Sequence, residues 1–408
     1  GTALWTAPFY LAGRFLPEPV LVPASNPDAG QPLLMGIAAA TATAGAGAVG
    51  LFFLLLRDSF GLSAAAAVLA SLALAFGTVL WKYGSVLYSH AVSALFVLLA
   101  LYLIARATRT AATGFWTWFA VGITTGATVL VEYTNVVFAA LLALFSAAHI
   151  VRNLRASTRI KVAAATVLGA AVPAVLLMAY NTVNFGGPFE LSTFNVDTTI
   201  WPQNENFNTD FATPLLVGLR AMLVWGGDNQ GLGLMSPVAL LALPGLVMFW
   251  RSARRDFILL MGLFAAMLLL FSKSTTFNPL TNDGRYLTPF LGLWFVPLAF
   301  WLDRVCFRAR RGAARLAWAA LVFGLLFLSV RNVFWHIALS WNYDLDYAAL
   351  QAYSVNSSNL KYALGTVFPN AANVWWLWWF YAGVSTLAWG LWNLRTRFVK
   401  SRSRIVAH

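Results

Sequence analysis

The amino-acid sequence predicts an all-α, polytopic transmembrane helix bundle of about eleven spans, joined by outer-face loops and by helices on the membrane surface. Two numbers lead to this prediction: 60% of the residues are hydrophobic, and only 10% are charged. An ordinary soluble domain carries about 25% charged residues. Because a soluble fold could not keep so much apolar surface away from water, we infer that the chain is surrounded by lipid. A third observation, the placement of the basic residues, supports the same conclusion.

The apolar runs are long enough, or nearly long enough, to cross a hydrocarbon core, which takes about 17–25 helical residues. They follow one another along the whole chain, so residues 1–408 are predicted to form a single transmembrane domain. Two shorter apolar stretches, residues 2–16 and 212–224, are predicted to be helices on the outer surface. The predicted spans lie at about 34–56, 64–80, 87–105, 115–132, 136–150, 162–180, 237–250, 257–270, 287–302, 316–330 and 373–394.

Basic and acidic residues separate between the two sides of these spans. If residue 34 lies outside, 20 of the 27 basic residues fall in the inside segments and 11 of the 14 acidic residues fall outside. Cytoplasmic loops of membrane proteins carry such an excess of Lys and Arg. The loop at 304–315 and the C-terminus are therefore predicted to be cytoplasmic. Topology thus accounts for the net charge of +13, and no nucleic-acid partner is expected.

The long connections all fall on the predicted outer side, and binding residues are often carried by loops. No phosphate-binding loop, dinucleotide turn, nucleophile elbow or Cys/His metal spacing is present, so no metal site is expected. The chemistry is therefore sought among polar residues at the outer helix ends. The long connections are residues 17–33, 181–236, 271–286 and 331–372.

Lys82 and His90 lie where one predicted span leaves the membrane and the next returns. Ionisable residues close to lipid are costly and usually face protein or water. His90 is either hydrogen-bonded between helices or in contact with a substrate. Glu132, at the end of the fourth predicted span, either is a solvated helix end or faces a cavity.

Asp283, Arg285 and Tyr286 directly precede the ninth predicted span on the outer side. An arginine there opposes the general charge distribution and needs a local reason. Arg285 either forms a salt bridge with Asp283 or binds an anion such as a lipid phosphate, which a guanidinium holds through two oxygens. We predict that Lys82, His90, Glu132 and Arg285 line one lipid-facing cavity beneath the outer loops.

Four stretches of the chain resemble the GT-C superfamily of polytopic glycosyltransferases, near the bacterial relatives of the dolichyl-phosphate-mannose–protein mannosyltransferases. They extend over about 290 residues and follow the order of that family. The stretches are Gly1-Thr2-Ala3-Leu4-Trp5 with Ala7-Pro8-Phe9-Tyr10; Tyr88-Ser89-His90-Ala91; Tyr180-Asn181 with Phe185-Gly186 and Pro188-Phe189; and Gly231-Leu232 with Ser236-Pro237, followed by Gly284-Arg285-Tyr286-Leu287-Thr288-Pro289.

The resemblance implies an enzyme of the cell envelope that transfers a sugar from a polyprenyl-phosphate carrier to an acceptor on the outer face. It also implies residence in a bacterial inner membrane and a carboxylate base in a first outer loop. That loop, with one more helix, is expected upstream of Gly1, so the base itself is not assigned. No cofactor is expected, and the carrier-linked sugar is the donor substrate.

Within the chain, the available cations on the outer side are Lys82 and Arg285, and the placed carboxylates are Glu132, Asp228 and Asp283. We expect the cations to stabilise charge on the leaving phosphate, and we expect Glu132 to bind substrate. Two other classes stay open. One is a non-catalytic membrane subunit derived from such an enzyme, with a membrane-protein partner. The other is a transporter of lipid-linked sugars.

Overall fold

The computed structural model describes residues 1–13, 32–191, 211–226, 229–274, 285–308 and 313–340. Within these residues the chain is almost entirely helical, and extended pairing is limited to β1 (Trp225–Gly226) against β2 (Asn229–Gln230). The α-helices are α1 (Thr2–Gly13), α2 (Pro32–Leu54), α3 (Ala64–Phe76), α4 (Leu80–Ser85), α5 (Ser89–Arg109), α6 (Phe115–Val131), α7 (Val136–Asn153), α8 (Ala156–Phe185), α9 (Leu215–Leu223), α10 (Leu232–Met235), α11 (Ala242–Ser252), α12 (Arg254–Ser272), α13 (Leu291–Trp301) and α14 (Ala313–Ser340).

The polytopic all-α prediction is confirmed. Seven helical segments in the described part of the chain are long and apolar enough to cross a membrane. Shorter apolar helices occupy three further predicted spans, at Ala64–Phe76, Phe115–Val131 and Pro237–Ser252. The last predicted span, 373–394, lies outside the described residues. The seven segments are Ala39–Ser59, Ser89–Arg109, Tyr133–Asn153, Ala156–Phe185, Arg254–Ser272, Arg285–Phe307 and Ala317–Phe334.

The predicted span 64–80 is shorter in the structure, because its helix α3 ends at Phe76. Gly77 follows as the C-cap, and the Thr78 hydroxyl donates to the Leu74 carbonyl and accepts from the Leu80 amide. Such local side-chain hydrogen bonds offer the backbone an alternative to the helix. The chain restarts in the separate helix α4, which carries Lys82 toward α5.

The two predicted surface helices form as short elements. Helix α1 packs on α2 and α5: the Trp5 indole donates to the Ala40 carbonyl at 2.8 Å, and its ring meets Phe96 edge to face. Helix α9 exposes 79% of Leu216 and 58% of Val217. A short amphipathic helix with such an apolar exposed side suits the boundary between headgroups and acyl chains.

Helices α6 and α8 approach each other through glycines. A Cβ at Gly122 would lie 2.0 Å from the Thr166 carbonyl oxygen, and one at Gly169 would lie 2.1 Å from the Phe119 carbonyl oxygen. Gly126, four residues after Gly122, faces the Pro173 ring at a similarly short distance. Small residues spaced in this way allow close backbone approach between membrane helices. The backbones of α6 and α8 are therefore in direct contact.

The outer surface of the bundle is apolar along most of α8. Ile160, Val167, Val175 and Val183 expose between 62% and 84% of their surface. A water-soluble protein rarely exposes a contiguous apolar surface of this length. Lipid acyl chains are the solvent that such a helix face requires, in agreement with the composition of the chain.

Charged side chains gather at one end of the bundle, which we call the charged end. Arg109 pairs with Asp256 at 2.7 Å, and the Tyr102 hydroxyl donates to Asp58 at 2.9 Å. These residues come from segments that the charge distribution placed together on the inside. Helix α5 runs from Ser89 to Arg109, about 30 Å at 1.5 Å per residue. The N-terminus of α5 therefore lies at the opposite end of the bundle.

Replacing Asp303 by alanine is expected to lower stability by about 1.5–3 kcal/mol. The carboxylate is 3% exposed, accepts the Ser63 amide at 2.9 Å at the start of α3, and pairs with Arg308 at 2.7 Å. The matched control is Asp256→Ala, whose ion pair with Arg109 is partly solvated and contributes about 0–1 kcal/mol. Thermal unfolding of the detergent-solubilised variants measures both. Equal losses in the two variants would contradict this assignment.

Candidate functional site

Glu132 lies between α6 and a single 3₁₀ turn, Tyr133–Asn135. Its backbone is extended (φ −142°, ψ 120°), which breaks the helix and turns the carboxylate toward α5. There one carboxylate oxygen accepts a hydrogen bond from the Ser89 hydroxyl at 2.5 Å and contacts His90 Nδ1 at 2.7 Å. Ser89 and His90 are the first two residues of α5, and the positive end of a helix stabilises a negative charge there.

The carboxylate is nearly enclosed. Its side chain is 12% exposed and the His90 side chain is 6% exposed. Ser93, one helical turn into α5, also interacts with the Glu132 carboxylate. The Ser93 hydroxyl accepts a hydrogen bond from Asn135 Nδ2 at 2.8 Å, and Nδ2 donates to the Thr128 carbonyl as well. A buried charge is tolerated when hydrogen bonds compensate it, and this network provides that compensation.

Three tyrosines surround the His90 ring. The ring stacks parallel to Tyr88 with 6.0 Å between centroids, and the edges of Tyr83 and Tyr286 approach it at 4.8 Å and 5.7 Å. These tyrosines come from different elements: α4, the residue before α5, and the 3₁₀ segment Arg285–Phe290. The three contacts fix the plane of the imidazole.

The two cations that the sequence singled out, Lys82 and Arg285, lie against two of the same tyrosines. Lys82 Nζ is 5.5 Å from the Tyr83 ring centroid, and its residue is 6% exposed. Arg285 Cζ is 4.8 Å from the Tyr286 ring centroid, and its guanidinium donates to the Tyr286 hydroxyl at 2.9 Å. Cation–π contacts of this kind are worth about 0.5–2 kcal/mol.

The structure therefore joins five of the six predicted site residues through direct contacts, although they come from three separate parts of the chain. Lys82 contacts Tyr83, and Tyr83 contacts His90. His90 in turn contacts both Glu132 and Tyr286, and the Arg285 guanidinium contacts Tyr286. Asp283 lies outside the described residues, as does Asp228. We call this group the polar cluster; its members are Lys82, Tyr83, Tyr88, Ser89, His90, Ser93, Glu132, Asn135, Arg285 and Tyr286.

Sequence reasoning missed Ser93 and Asn135. Ser93 follows Ser89 by four residues and His90 by three, a spacing that places all three on one helix face. Asn135 is three residues after Glu132, in the 3₁₀ turn. Its Oδ1 atom is fully buried and has no hydrogen-bond partner among the described residues. Only the packing of α5 against the turn reveals that these two side chains meet.

Asn181, which the resemblance singled out, adjoins the cluster. Its residue is 1% exposed, its Oδ1 accepts from the Tyr133 hydroxyl at 3.2 Å, and its Nδ2 donates to the Pro188 carbonyl at 3.3 Å. These bonds connect the C-terminal end of α8 to the turn that carries Glu132. Asn181 and Pro188 thus support the position of Glu132 and do not contact it.

No group of three or more His, Cys, Asp or Glu side chains in the described parts of the chain is arranged to hold a metal ion. The chemistry of the polar cluster is that of an imidazole–carboxylate pair with two cations beyond it. Comparison with known protein families, with curated proteins and with solved structures finds no match to this chain.

Proposed function

We propose that this protein is a membrane glycosyltransferase that moves a sugar from a polyprenyl-phosphate carrier to an acceptor at the membrane surface nearest the polar cluster. The observation that carries the proposal is the convergence of two cations, Lys82 and Arg285, on the tyrosines that surround an imidazole–carboxylate pair. The resemblance to the GT-C superfamily supplies the reaction class.

The arrangement suits this reaction. Breaking the bond between the sugar and the phosphate leaves negative charge on the phosphate, and cations held in advance stabilise that charge. Arg285 offers a planar fork for two phosphate oxygens, while Lys82 is a point charge. The polar cluster lies at a helix end in an apolar bundle, so the lipid chain of the carrier can remain among the helices.

The tyrosines give the cluster a second property that sugar transfer uses. Tyr88 and Tyr286, which are not fully buried, offer both ring surface and hydroxyl groups, and such residues bind ligands that have an apolar and a polar side. Glu132 is the expected substrate-binding carboxylate. Its oxygen Oε1 accepts a hydrogen bond from Ser89 and contacts His90, so the carboxylate lies directly beside the imidazole.

The proposal is tested with the full-length protein in proteoliposomes. Polyprenyl phosphates that carry different radiolabelled sugars are supplied as donors, and an envelope extract is supplied as the source of acceptors. Covalent transfer of label to an acceptor, with release of polyprenyl phosphate, is the expected result. Movement of the intact lipid-linked sugar across the bilayer without transfer would favour a transporter. If the protein shows neither transfer nor transport with any donor, the proposal is overturned and a non-catalytic subunit is favoured.

We further propose that the charged end faces the cytoplasm of a bacterial cell and that the polar cluster faces outward. Cysteine placed at Ser357 is expected to react with an impermeant maleimide in intact cells, whereas cysteine placed at Ser401 is expected to react only after lysis. The buried Cys306 is replaced by serine in both variants to remove background. Labelling of position 401 and not of position 357 in intact cells would reverse the orientation.

A further inference from the structure

The His90 ring is held in one orientation by the groups around it. Nδ1 lies 2.7 Å from the Glu132 carboxylate. Because a carboxylate can only accept a hydrogen bond, the neutral form of the ring bears its hydrogen on Nδ1. Among the described residues no group is hydrogen-bonded to Nε2. The ring therefore presents an unprotonated nitrogen with a lone pair in a fixed direction.

We propose that His90 is the proton acceptor of the transfer reaction and that Glu132 is its positioning residue. This inference rests on the glycosyltransferase function proposed above. A carboxylate behind Nδ1 fixes the tautomer of the imidazole and stabilises the imidazolium after it has taken a proton. The enclosed Glu132, which is held further by Ser89 and Ser93, has the contacts for that role.

The acceptor hydroxyl oxygen forms a bond to C1 of the sugar, and the bond between C1 and the phosphate oxygen breaks. The electron pair of the broken bond remains on the phosphate, where Lys82 and Arg285 supply positive charge. The hydroxyl proton moves to His90 Nε2, and the imidazolium returns it to water after the product leaves.

Several titratable and charged groups surround the His90 ring. From α4 come Tyr83 and, behind it, Lys82; from the turn after α6 comes Glu132; Tyr88 precedes α5. The segment before α13 contributes Tyr286 and, on the far side of that ring, Arg285. The one carboxylate in direct contact is Glu132, whereas the two cations contact the Tyr83 and Tyr286 rings.

The role of His90 differs from the one implied by the resemblance, in which a carboxylate upstream of Gly1 is the base. A pH profile distinguishes the two. With His90 as the acceptor, kcat falls at acidic pH as the imidazole becomes protonated. We call this part of the pH profile the acidic limb, and His90→Gln is expected to remove it. With a carboxylate as the acceptor, the limb lies at lower pH and persists in His90→Gln.

The experiment measures kcat and KM against pH in proteoliposomes for the wild type, His90→Gln, His90→Ala and Glu132→Gln. We expect His90→Gln to lower kcat by about 10²–10⁴-fold with little change in the donor KM. Added imidazole is expected to restore part of the activity of His90→Ala. Glu132→Gln is expected to lower kcat, because a neutral amide stabilises the imidazolium less than a carboxylate does.

The matched control is His149→Gln. This histidine is equally buried (5% exposed) but lies near the charged end, where it contacts Arg255 and stacks on Trp118. We expect it to keep the wild-type kcat and acidic limb. An unchanged kcat in His90→Gln, or a lowered kcat with the acidic limb retained and no rescue by imidazole, would overturn the role of His90. Wild-type protein that transfers no sugar would overturn the proposed function itself.

Discussion

Arg285→Ala is expected to lower sugar transfer by about 10²–10³-fold, the cost of removing one preorganised donor to a developing negative charge. The guanidinium lies over the Tyr286 ring, whose edge contacts His90, so Arg285 is placed within one side chain of the proposed reacting atoms. Arg285→Lys is expected to retain only part of the activity, because an ammonium group cannot hold two phosphate oxygens at once. The measurement is initial transfer rate in proteoliposomes, with the amount of folded protein determined in parallel.

Arg220→Ala is the control for the Arg285 variants. Arg220 lies on the exposed side of α9 and, like Arg285, is predicted to be on the outer side of the membrane. It is not a member of the polar cluster. Its replacement is expected to leave the rate unchanged. If Arg285 only forms a solvated salt bridge, the pair is worth about 0–1 kcal/mol, and Arg285→Ala would then be as active as Arg220→Ala. That outcome would remove Arg285 from the site.

Gly122→Ala is expected to destabilise the packing of α6 against α8. The added Cβ would lie 2.0 Å from the Thr166 carbonyl oxygen, so α6 and α8 must separate. Overpacking of this kind costs about 1–3 kcal/mol and occasionally more. Because Glu132 directly follows α6, the shift is also expected to disturb the polar cluster. Thermal unfolding and the yield of monodisperse protein measure the effect.

Gly262→Ala is the matched control for this prediction. Gly262 lies within α12, and a Cβ added there meets nothing within 4 Å. Alanine has a higher helix propensity than glycine by up to about 1 kcal/mol, so the control is expected to be neutral or slightly stabilising. A variant at Gly122 that unfolds at the wild-type temperature would show that the glycine contact between α6 and α8 is not required.

Most of the fold was predictable because the physical requirement is simple. Each helix that crosses lipid must be long, apolar and internally hydrogen-bonded, and those three properties can be read from composition and run length. The break between α3 and α4 was not predictable in this way. The sequence remains largely apolar from Ala64 through Trp81, and the helix ends at Phe76, where Gly77 is the C-cap and Thr78 forms local hydrogen bonds.

The site was predictable in part for a different reason. Charge near lipid is costly, and this identified four candidate site residues, Lys82, His90, Glu132 and Arg285. Because all four are predicted on the same side of the membrane, they were expected to meet. Ser93 and Asn135 are uncharged and common in such helices, so nothing in the sequence separates them from ordinary polar residues. Their participation depends on the rotation of α5 relative to the turn after Glu132, which only the packed structure provides.

The helices next to the two residues of the imidazole–carboxylate pair are buried to different extents. His90 is on α5, a span with 67% of its residues buried among other helices, whereas the helix that follows Glu132 in the segment Tyr133–Asn153 is 33% buried. Helix α5 is therefore the more enclosed of the two elements that hold the pair. If the protein transfers a sugar as proposed, a substrate that needs space beside His90 is expected to displace the less enclosed element toward the lipid, and the transfer rate is then expected to depend on the thickness and fluidity of the bilayer.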